Sequence, residues 1–439
     1  MKYQTGEDFR VTSSIDTSEF GDFEVVSVLA DVRKSNKPVA FECGVGGSVA
    51  TSPKVKDGKV FFGSNDKNFY AVDAVTGREV WRFETGDPIM CSPDISKDKI
   101  YFGSFDKNVY CLDLNGNFIW KFPTNGRLIA KPEIVDNRVY VGSEDGSFYC
   151  LDAETGEEMW KFDTNGSISY ANYYDGKIFF GSGDFNFYCL SKNGEEIWRF
   201  KTGNDIIWNC VIVDGIIYFA SFDCNLYAVD MKGNLIWKLP FNEPVNSMIV
   251  YSDGVLYMGS RNFKTYAITT DGKILWSYET TNIHGSGITV KGDVVYCASC
   301  DNLMYAHDKK TGELLWKFAA DAPIAHTAPA IYEGKIYFGS WDCHLYCVDL
   351  KGELIWKFAT SLSYMAPVDM ESIKSKEKSL EIVWNLEPMR DTEEDEYKEK
   401  TQEILGGYTI QNKYVQDSEY TSHDIRTFTT GKVKRKYQK

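Results

Sequence analysis

The sequence predicts an all-β protein, an eight-bladed β-propeller built from four-stranded antiparallel blades. The first observation is a tryptophan that returns eight times along the 439-residue chain, at intervals of 38 to 40 residues. A fixed period of this size indicates a series of similar supersecondary units. The second is that each period holds four short strand patterns separated by tight-turn residues, the content of one propeller blade. The recurring residues are Trp81, Trp120, Trp160, Trp198, Trp237, Trp276, Trp316 and Trp356.

The second unit, residues 88–124, illustrates how the strands are assigned. Asn115 and Gly116 form a two-residue hairpin signal, because a type I′ turn needs positive φ at both central positions. Trp120 lies in the strand that follows this hairpin. The four predicted strands of the unit are residues 88–95, 99–104, 108–113 and 118–122.

Three further positions recur in the units. A small residue precedes a serine in all eight, which suggests close approach of a neighbouring backbone: Gly63, Gly103, Gly142, Gly181, Ala220, Gly259, Ala298 and Gly339. An acidic residue follows in seven units, where it can accept N–H bonds in its own turn: Asp66, Asp106, Asp145, Asp184, Asp223, Asp301 and Asp342, with Asn262 in the sixth. A tyrosine occurs in every unit: Tyr70, Tyr110, Tyr149, Tyr188, Tyr227, Tyr266, Tyr305 and Tyr346.

Composition and charge restrict the function. The net charge is −15 and the pI is about 5.0, which argues against a nucleic-acid-binding protein. Residues 1–17 contain no apolar run of signal-peptide length, and no stretch approaches the ~20 apolar residues of a membrane span. From these features we expect a soluble, cytoplasmic chain without a membrane segment.

Cysteine usage agrees with that expectation. Four cysteines share one strand position, where the other units have alanine, so we interpret them as small buried apolar residues rather than disulfide partners. The total of eleven is odd, which leaves at least one free thiol. The four are Cys111, Cys150, Cys189 and Cys347.

The repeats define three regions. Residues 46–360 form the predicted propeller. Residues 1–45 contain two predicted strands, at 25–32 and 38–43, that could add to a blade edge or help to close the ring. Residues 361–439 form an extension with one more outer-strand pattern at 379–386, an acidic run at 391–399 and a basic end. We expect this extension either to dock, on the propeller or on a partner, or to be a solvated, partly disordered tail.

The repeat resembles the pyrroloquinoline-quinone (PQQ) propeller repeat. The segment from Ala71 through Thr76 and Gly77 to Trp81 is similar to its tryptophan-docking motif, and the segment from Leu151 to Trp160 repeats it. The resemblance covers residues 46–360 and implies eight blades with tryptophans between them. The family that it resembles includes quinoprotein dehydrogenases and many non-enzymatic members similar to the outer-membrane assembly lipoprotein BamB. The resemblance does not by itself imply a bound cofactor.

Residues that depart from the repeat are the candidates for catalytic or metal-binding roles. Quinoprotein dehydrogenases are similar to one another in an adjacent Cys-Cys pair, calcium ligands and an Asp base; this chain has no adjacent cysteines. Cys297 and Cys300 have CxxC spacing, but residues three apart on a strand point to opposite faces and no second CxxC exists. Cys343, His344 and Cys347 also resemble ligands, although Cys347 belongs to the recurrent buried position. We therefore predict no metal site, no cofactor and no catalytic residue.

The channel wall gives the remaining candidates. First strands of propeller blades face the central channel, and several of them carry unusual residues at its mouth. Such a mouth could bind a small polar or anionic ligand, while the alternative is an ordinary channel lining with water. The candidate residues are Lys131, Tyr170, Trp208, His284 and His326.

These observations predict a non-catalytic propeller scaffold that mediates protein–protein interaction through flat faces with short loops. We expect a monomeric propeller whose protein partner the sequence does not identify. The first alternative is a small-ligand sensor that uses the channel, and the second is a quinoprotein oxidoreductase. Because fold does not fix function, the choice among them depends on the site.

Overall fold

The computed structural model describes residues 47–283 and 287–360, and these residues form eight four-stranded antiparallel sheets. Each sheet uses four consecutive strands in chain order, so no blade borrows a strand from another part of the chain. The prediction of eight four-stranded blades is confirmed. Residues 1–46 and 361–439, with the strands predicted in them, lie outside the described residues.

The first strands of the blades line the central channel, and those of blades 1 and 8, 2 and 3, 3 and 4, and 6 and 7 contact each other. They are β1 (Lys54–Lys56), β5 (Asp94–Ser96), β9 (Glu133–Val135), β13 (Ile168–Tyr174), β17 (Val211–Val213), β21 (Val250–Ser252), β25 (Ile288–Lys291) and β29 (Ala330–Tyr332). The second strands are β2 (Lys59–Gly63), β6 (Lys99–Gly103), β10 (Arg138–Gly142), β14 (Lys177–Ser182), β18 (Ile216–Ser221), β22 (Val255–Gly259), β26 (Val294–Ala298) and β30 (Lys335–Ser340).

The third strands are almost completely buried, and the fourth strands form the exposed outer edges of the blades. The third strands are β3 (Asn68–Asp73), β7 (Asn108–Asp113), β11 (Ser147–Asp152), β15 (Asn186–Ser191), β19 (Asn225–Asp230), β23 (Lys264–Thr269), β27 (Leu303–Asp308) and β31 (His344–Asp349). The fourth strands are β4 (Glu79–Glu84), β8 (Phe118–Pro123), β12 (Glu158–Asp163), β16 (Glu196–Lys201), β20 (Leu235–Pro240), β24 (Ile274–Glu279), β28 (Leu314–Ala319) and β32 (Leu354–Ala359).

The hydrophobic core lies between blades rather than within one sheet. In one cluster, Tyr101 and Cys111 of blade 2 pack with Val139 and Tyr149 of blade 3. The small residue before each serine permits this packing: a Cβ on Gly103 would lie 2.4 Å from the Leu128 Cβ. The close approach predicted for this position is therefore confirmed.

Each recurring tryptophan lies against the hairpin glycine of the following blade. A Cβ on Gly116 would lie 2.7 Å from the Trp81 ring, and the other seven glycines meet their tryptophans in the same way. The Trp81 Nε1–H also donates to the Leu114 carbonyl at 3.2 Å, and seven of the eight tryptophans make this kind of bond. Among the described residues the Trp356 Nε1–H, at the junction of blades 8 and 1, has no partner.

The ring closes where blade 8 meets blade 1. The Val49 N–H donates to the Ser340 carbonyl at 3.0 Å, and the Tyr337 hydroxyl donates to the Ala74 carbonyl at 2.9 Å. The Thr360 hydroxyl donates to the Gly47 carbonyl. Within the described residues the structure contains no helix long and apolar enough to cross a membrane.

Candidate functional site in the central channel

The recurring acidic and tyrosine positions meet in every blade. In seven blades the tyrosine hydroxyl donates to the carboxylate four residues earlier, at 2.5 to 2.9 Å. In blade 5, Asp223 also accepts from the Asn225 N–H at 3.1 Å, as predicted for its turn, and from the Gly203 N–H of the preceding linker at 2.8 Å. These carboxylates join a turn, a strand and a blade junction, so their role is structural.

The local environment shifts the pKa of Asp342 and that of Asp66 in opposite directions. Burial pushes the pKa of Asp342 upward, but hydrogen bonds from His344 and Tyr346 outweigh it and lower the pKa overall. Asp66 has no histidine beside it, and burial raises its pKa despite the bonds from Tyr70 and Asn68. The balance between burial and hydrogen bonding to the charged form therefore decides the direction of the pKa shift at these two carboxyls.

Three of the predicted channel residues come together. The Tyr170 and Trp208 rings stack at 5.9 Å between centroids, and Trp208 and His326 stack at 6.3 Å. The stack continues to Trp341, whose ring centroid lies 6.1 Å from that of His326. Trp208 precedes the first strand of blade 5 and His326 that of blade 8, so their contact crosses the channel. The stack thus fills part of the mouth.

The stack is largely buried. Tyr170 and Trp208 are 9% and 7% exposed, and Ala130 packs with them. His326 has a φ of 59°, an uncommon backbone conformation for a residue other than glycine. The buried Nε1–H of Trp208 has no hydrogen-bond partner among the described residues. A buried donor without a partner is unfavourable, so this atom is the clearest candidate for contact with a bound polar group.

Lys131 has a different environment from the ring stack. Its ammonium lies 3.0 Å from an Asp94 carboxylate oxygen and 3.2 Å from one of Glu133. Burial alone would lower the pKa of Lys131, but the two carboxylates raise it above its usual value. Lys54 adds a longer contact with Asp94, at 3.6 Å. Lys131 is therefore held in an ion-pair network between blades 1, 2 and 3.

The opposite part of the wall is lined by smaller residues. Ser52 and Ala328 occupy the wall position that Tyr170 has in blade 4, and a Cβ on Gly287 would lie 2.2 Å from that of Ala328. A cavity of about 300 Å³ lies here, between the first strands of blades 1, 7 and 8. Its lining includes Lys54 and Tyr332. The fifth predicted channel residue, His284, lies outside the described residues.

The cysteine candidates are buried or bonded within their own turns. Cys297 and Cys300 are both buried. The His344 Nδ1 lies 2.9 Å from the Asp342 carbonyl oxygen, to which it donates. Burial raises the pKa of Cys347 to about 12. Within the described residues, no group of three or more His, Cys, Asp or Glu side chains could hold a metal ion.

Sequence reasoning missed two features of the site. Trp341, which directly follows β30, continues the ring stack but was not among the predicted channel residues. The bond between each tyrosine and its carboxylate was also missed, although the constant four-residue separation of the two positions was a usable signal. By contrast, no sequence signal indicated that Trp208 would reach His326.

The model of a family described as "Beta-alanine-activating enzyme, beta-propeller" matches residues 21–247, just over half of the chain. The chain belongs to this propeller family. A second family model, described as "Outer membrane protein assembly factor BamB", matches residues 223–363 of the same propeller. The predicted resemblance to PQQ-like propellers is therefore confirmed.

Part of the chain is similar in sequence to two curated proteins. Both are described as "Alcohol dehydrogenase (quinone), dehydrogenase subunit", one from Gluconacetobacter polyoxogenes and one from Komagataeibacter europaeus. Each is 31% identical over 87 residues. The match covers 17% of the chain and 12% of each relative. The chain therefore spans only a small part of these relatives, and their activity does not transfer to it on this ground.

Three solved structures are similar to the propeller. The computationally designed Ika8 protein has a TM-score of 0.63 and 15% identity, over 72% of this chain and 99% of that one. BamB from Moraxella catarrhalis has a TM-score of 0.61 and 16% identity, over 71% and 99%. Quinohemoprotein alcohol dehydrogenase from Comamonas testosteroni has a TM-score of 0.60 and 15% identity, over 74% and 79%. At these identities the likeness establishes the fold alone.

Proposed function

We propose that this propeller is a non-catalytic scaffold that binds a protein partner. The observation that carries the proposal is the use of its recurring polar residues. The carboxylates bind tyrosines and backbone N–H groups, and the channel mouth is partly filled by Tyr170, Trp208 and His326. These carboxylates and channel side chains, which could otherwise act in general acid–base chemistry, instead stabilise the ring. The outer surfaces are therefore the part of the propeller that we expect to bind a partner.

The residues do not fit a quinone cofactor of the kind found in quinoprotein dehydrogenases. The resemblance implies an adjacent Cys-Cys pair, and the chain has none. The aromatic face of Trp208 is already stacked on its own neighbours, Tyr170 and His326. An oxidoreductase function is therefore the less favoured alternative. Dye-linked dehydrogenase activity after addition of PQQ and Ca²⁺ would support it.

The proposed scaffold function is tested by native mass spectrometry of the endogenous protein, purified gently from its source. A stoichiometric protein partner supports the proposal. Repeated recovery of the bare chain at physiological salt, with no protein cross-linked to it in the cell, contradicts it. A chain that ends at Thr360, if it folds, shows whether residues 361–439 contribute to partner binding.

A second candidate function is small-ligand binding at the channel mouth. The specific observation in its favour is the buried Trp208 Nε1–H, which has no partner among the described residues. A small carboxylate or carbonyl compound could accept this hydrogen bond. Thermal stabilisation by a panel of such compounds, lost in His326→Ala and in Trp208→Phe but retained in Val80→Ala on the outer rim, would support this function. No stabilisation by any compound would remove it.

A further inference from the structure

The outer edge of four consecutive blades exposes pairs of aliphatic side chains. In blades 5 to 8 both residues before the recurring tryptophan are leucine or isoleucine, and each is 39% to 53% exposed. We name these eight residues the apolar rim. They are Leu235, Ile236, Ile274, Leu275, Leu314, Leu315, Leu354 and Ile355.

A β-bulge accounts for this exposure. In blade 7, Trp316 pairs with Ala306 and Leu314 pairs with His307, so Leu315 has no partner on the third strand. The same shift occurs at this position in the other blades whose pairing is described, blade 8 included. A bulge bends the strand and leaves the extra residue outside the ladder. Because bulges also protect free sheet edges, a partner would contact the apolar rim through side chains rather than by adding a strand.

The other half of the rim has a different character. Blades 1, 3 and 4 carry glutamate at the first of the two positions. Glu79 pairs with Arg82 at 2.8 Å and Glu196 pairs with Arg199 at 2.6 Å. Blade 2 alone resembles blades 5 to 8, with Phe118 52% exposed. The long apolar surface is thus confined to one side of the ring.

Charge distinguishes the two halves as well. In blades 5 to 8, the segments from the last hairpin to the residue after tryptophan carry eight basic and three acidic residues, a net charge of +5. The corresponding segments of blades 1 to 4 carry six of each and are neutral. The chain as a whole has a net charge of −15. The segments that carry the apolar rim are therefore more basic than their counterparts in blades 1 to 4, although Lys309 and Lys357 also pair with carboxylates outside these segments. The eight basic residues are Lys232, Lys238, Lys273, Lys309, Lys310, Lys317, Lys351 and Lys357.

The size of the apolar rim suits a protein partner. Its eight side chains, spread over the outer edges of four blades, expose roughly 700 Å² together, which approaches the ~800 Å² per partner of a standard interface. A second copy would bring two positive rims and two acidic bodies together. Complementarity therefore favours a different protein with acidic residues around apolar ones.

We propose that the apolar rim of blades 5 to 8 binds an amphipathic acidic segment of a partner protein, in which leucine or phenylalanine side chains are flanked by Asp and Glu. This inference rests on the proposed scaffold function and names the surface that carries it. The aliphatic contacts supply affinity, and the surrounding lysines select for acidic flanks and speed association.

The test uses the full chain and a fluorescein-labelled peptide in which Leu and Phe alternate with Asp and Glu, measured by fluorescence anisotropy. The variant Leu275→Gln/Leu315→Gln removes two rim side chains that are 49% and 53% exposed. The matched control Val80→Gln/Ile197→Gln changes two side chains that are each 48% exposed on the other half. Thermal unfolding of both variants verifies that they fold.

We expect the rim variant to bind the acidic peptide at least tenfold more weakly than the parent, and the control variant to stay within twofold. Raising the salt concentration weakens binding, and a peptide with Lys in place of Asp and Glu does not bind. Equal weakening by both variants, equal binding of both peptides, or no binding by the parent chain overturns the inference.

The two proposals fail in different ways. If the endogenous partner stays bound to the rim variant and the acidic peptide does not bind, the scaffold function stands and the rim is not its surface. If no endogenous partner exists but the peptide binds only through the rim, the scaffold function fails while the surface remains. If the variant loses both, the two proposals are supported together.

Discussion

Substituting alanine at two glycines of blade 4 tests how much the tryptophan contact between blades contributes to stability. Gly194 has a φ of 85° and Gly176 a φ of 73°, so both substitutions place a Cβ in the left-handed region. A Cβ on Gly194 would lie 2.7 Å from the Trp160 ring, whereas a Cβ on Gly176 would have nothing within 4 Å. Gly176→Ala is therefore a control for the backbone term alone.

The expected magnitudes follow from these contacts. Left-handed backbone costs alanine about 1–2 kcal/mol in both variants. In Gly194→Ala the indole must also move, which weakens its packing and the 3.1 Å bond from Trp160 Nε1–H to the Lys192 carbonyl. Loss of such a bond costs about 1 kcal/mol, and lost packing adds a similar amount. We expect Gly194→Ala to be about 2 kcal/mol less stable than Gly176→Ala.

Urea unfolding at pH 7, followed by tryptophan fluorescence and by circular dichroism, measures the difference. Both probes must give one coincident transition for the free energies to be compared. Equal destabilisation in the two variants would refute the reasoning, because it would mean that the indole moves aside without cost. A larger loss in Gly176→Ala would refute it more strongly.

Three further predictions concern titratable groups. Because the folded pKa of Asp342 is lowered, its charged form contributes stability above the unfolded value of about 3.9, and this contribution is lost as the pH falls through the folded pKa. We expect Asp342→Asn to cost about 1 kcal/mol more than Asp66→Asn in urea unfolding at pH 7, and this difference to narrow progressively as the pH is lowered below about 3.9. Burial raises the pKa of Cys111 to about 12, so mass spectrometry after treatment with a thiol reagent at pH 8 should find it unmodified until the protein unfolds, and rapid native modification would contradict its burial. Lys131→Met leaves the Asp94 and Glu133 carboxylates without their shared cation and should lower stability by about 1–3 kcal/mol; Lys54→Met, whose contact with Asp94 is longer and more exposed, should cost less.

The blades could be predicted from the sequence because every unit repeats the residue types that its turns and close contacts require. Asn115 and Gly116 indicated a hairpin, and the structure has one there. The predicted type I′ turn was wrong, because Gly116 has a φ of 84° but Asn115 does not have positive φ. The small residues before each serine indicated close packing, which the position of Leu128 against Gly103 explains. Each of these signals depends on contacts that recur in every unit, so eight copies reinforce one another.

The channel could not be predicted in the same way. Aligning the repeats places Trp208 and His326 near the channel mouth, but their contact joins blade 5 to blade 8 and depends on how the ring closes. The alignment also grouped Lys131 with the aromatic residues, whereas Asp94 and Glu133 hold it elsewhere on the wall. One side chain per blade carries no information about which blades face each other, so the structure alone supplies the distances.

The sixth blade shows most directly that the recurring carboxylates are structural. There the acidic residue is replaced by Asn262, whose side-chain amide donates to the Tyr266 hydroxyl at 2.7 Å. The hydrogen bond is reversed in direction, yet the Asn262 oxygen still accepts from the Lys264 N–H at 3.2 Å, as an aspartate does in the other blades. Since a neutral side chain preserves this geometry, the hydrogen bonds of this turn can form without a charged residue. The rim positions, by contrast, vary between blades without such compensation: blades 1, 3 and 4 carry glutamate where blades 5 to 8 carry the apolar rim, and this difference supports the proposed binding surface.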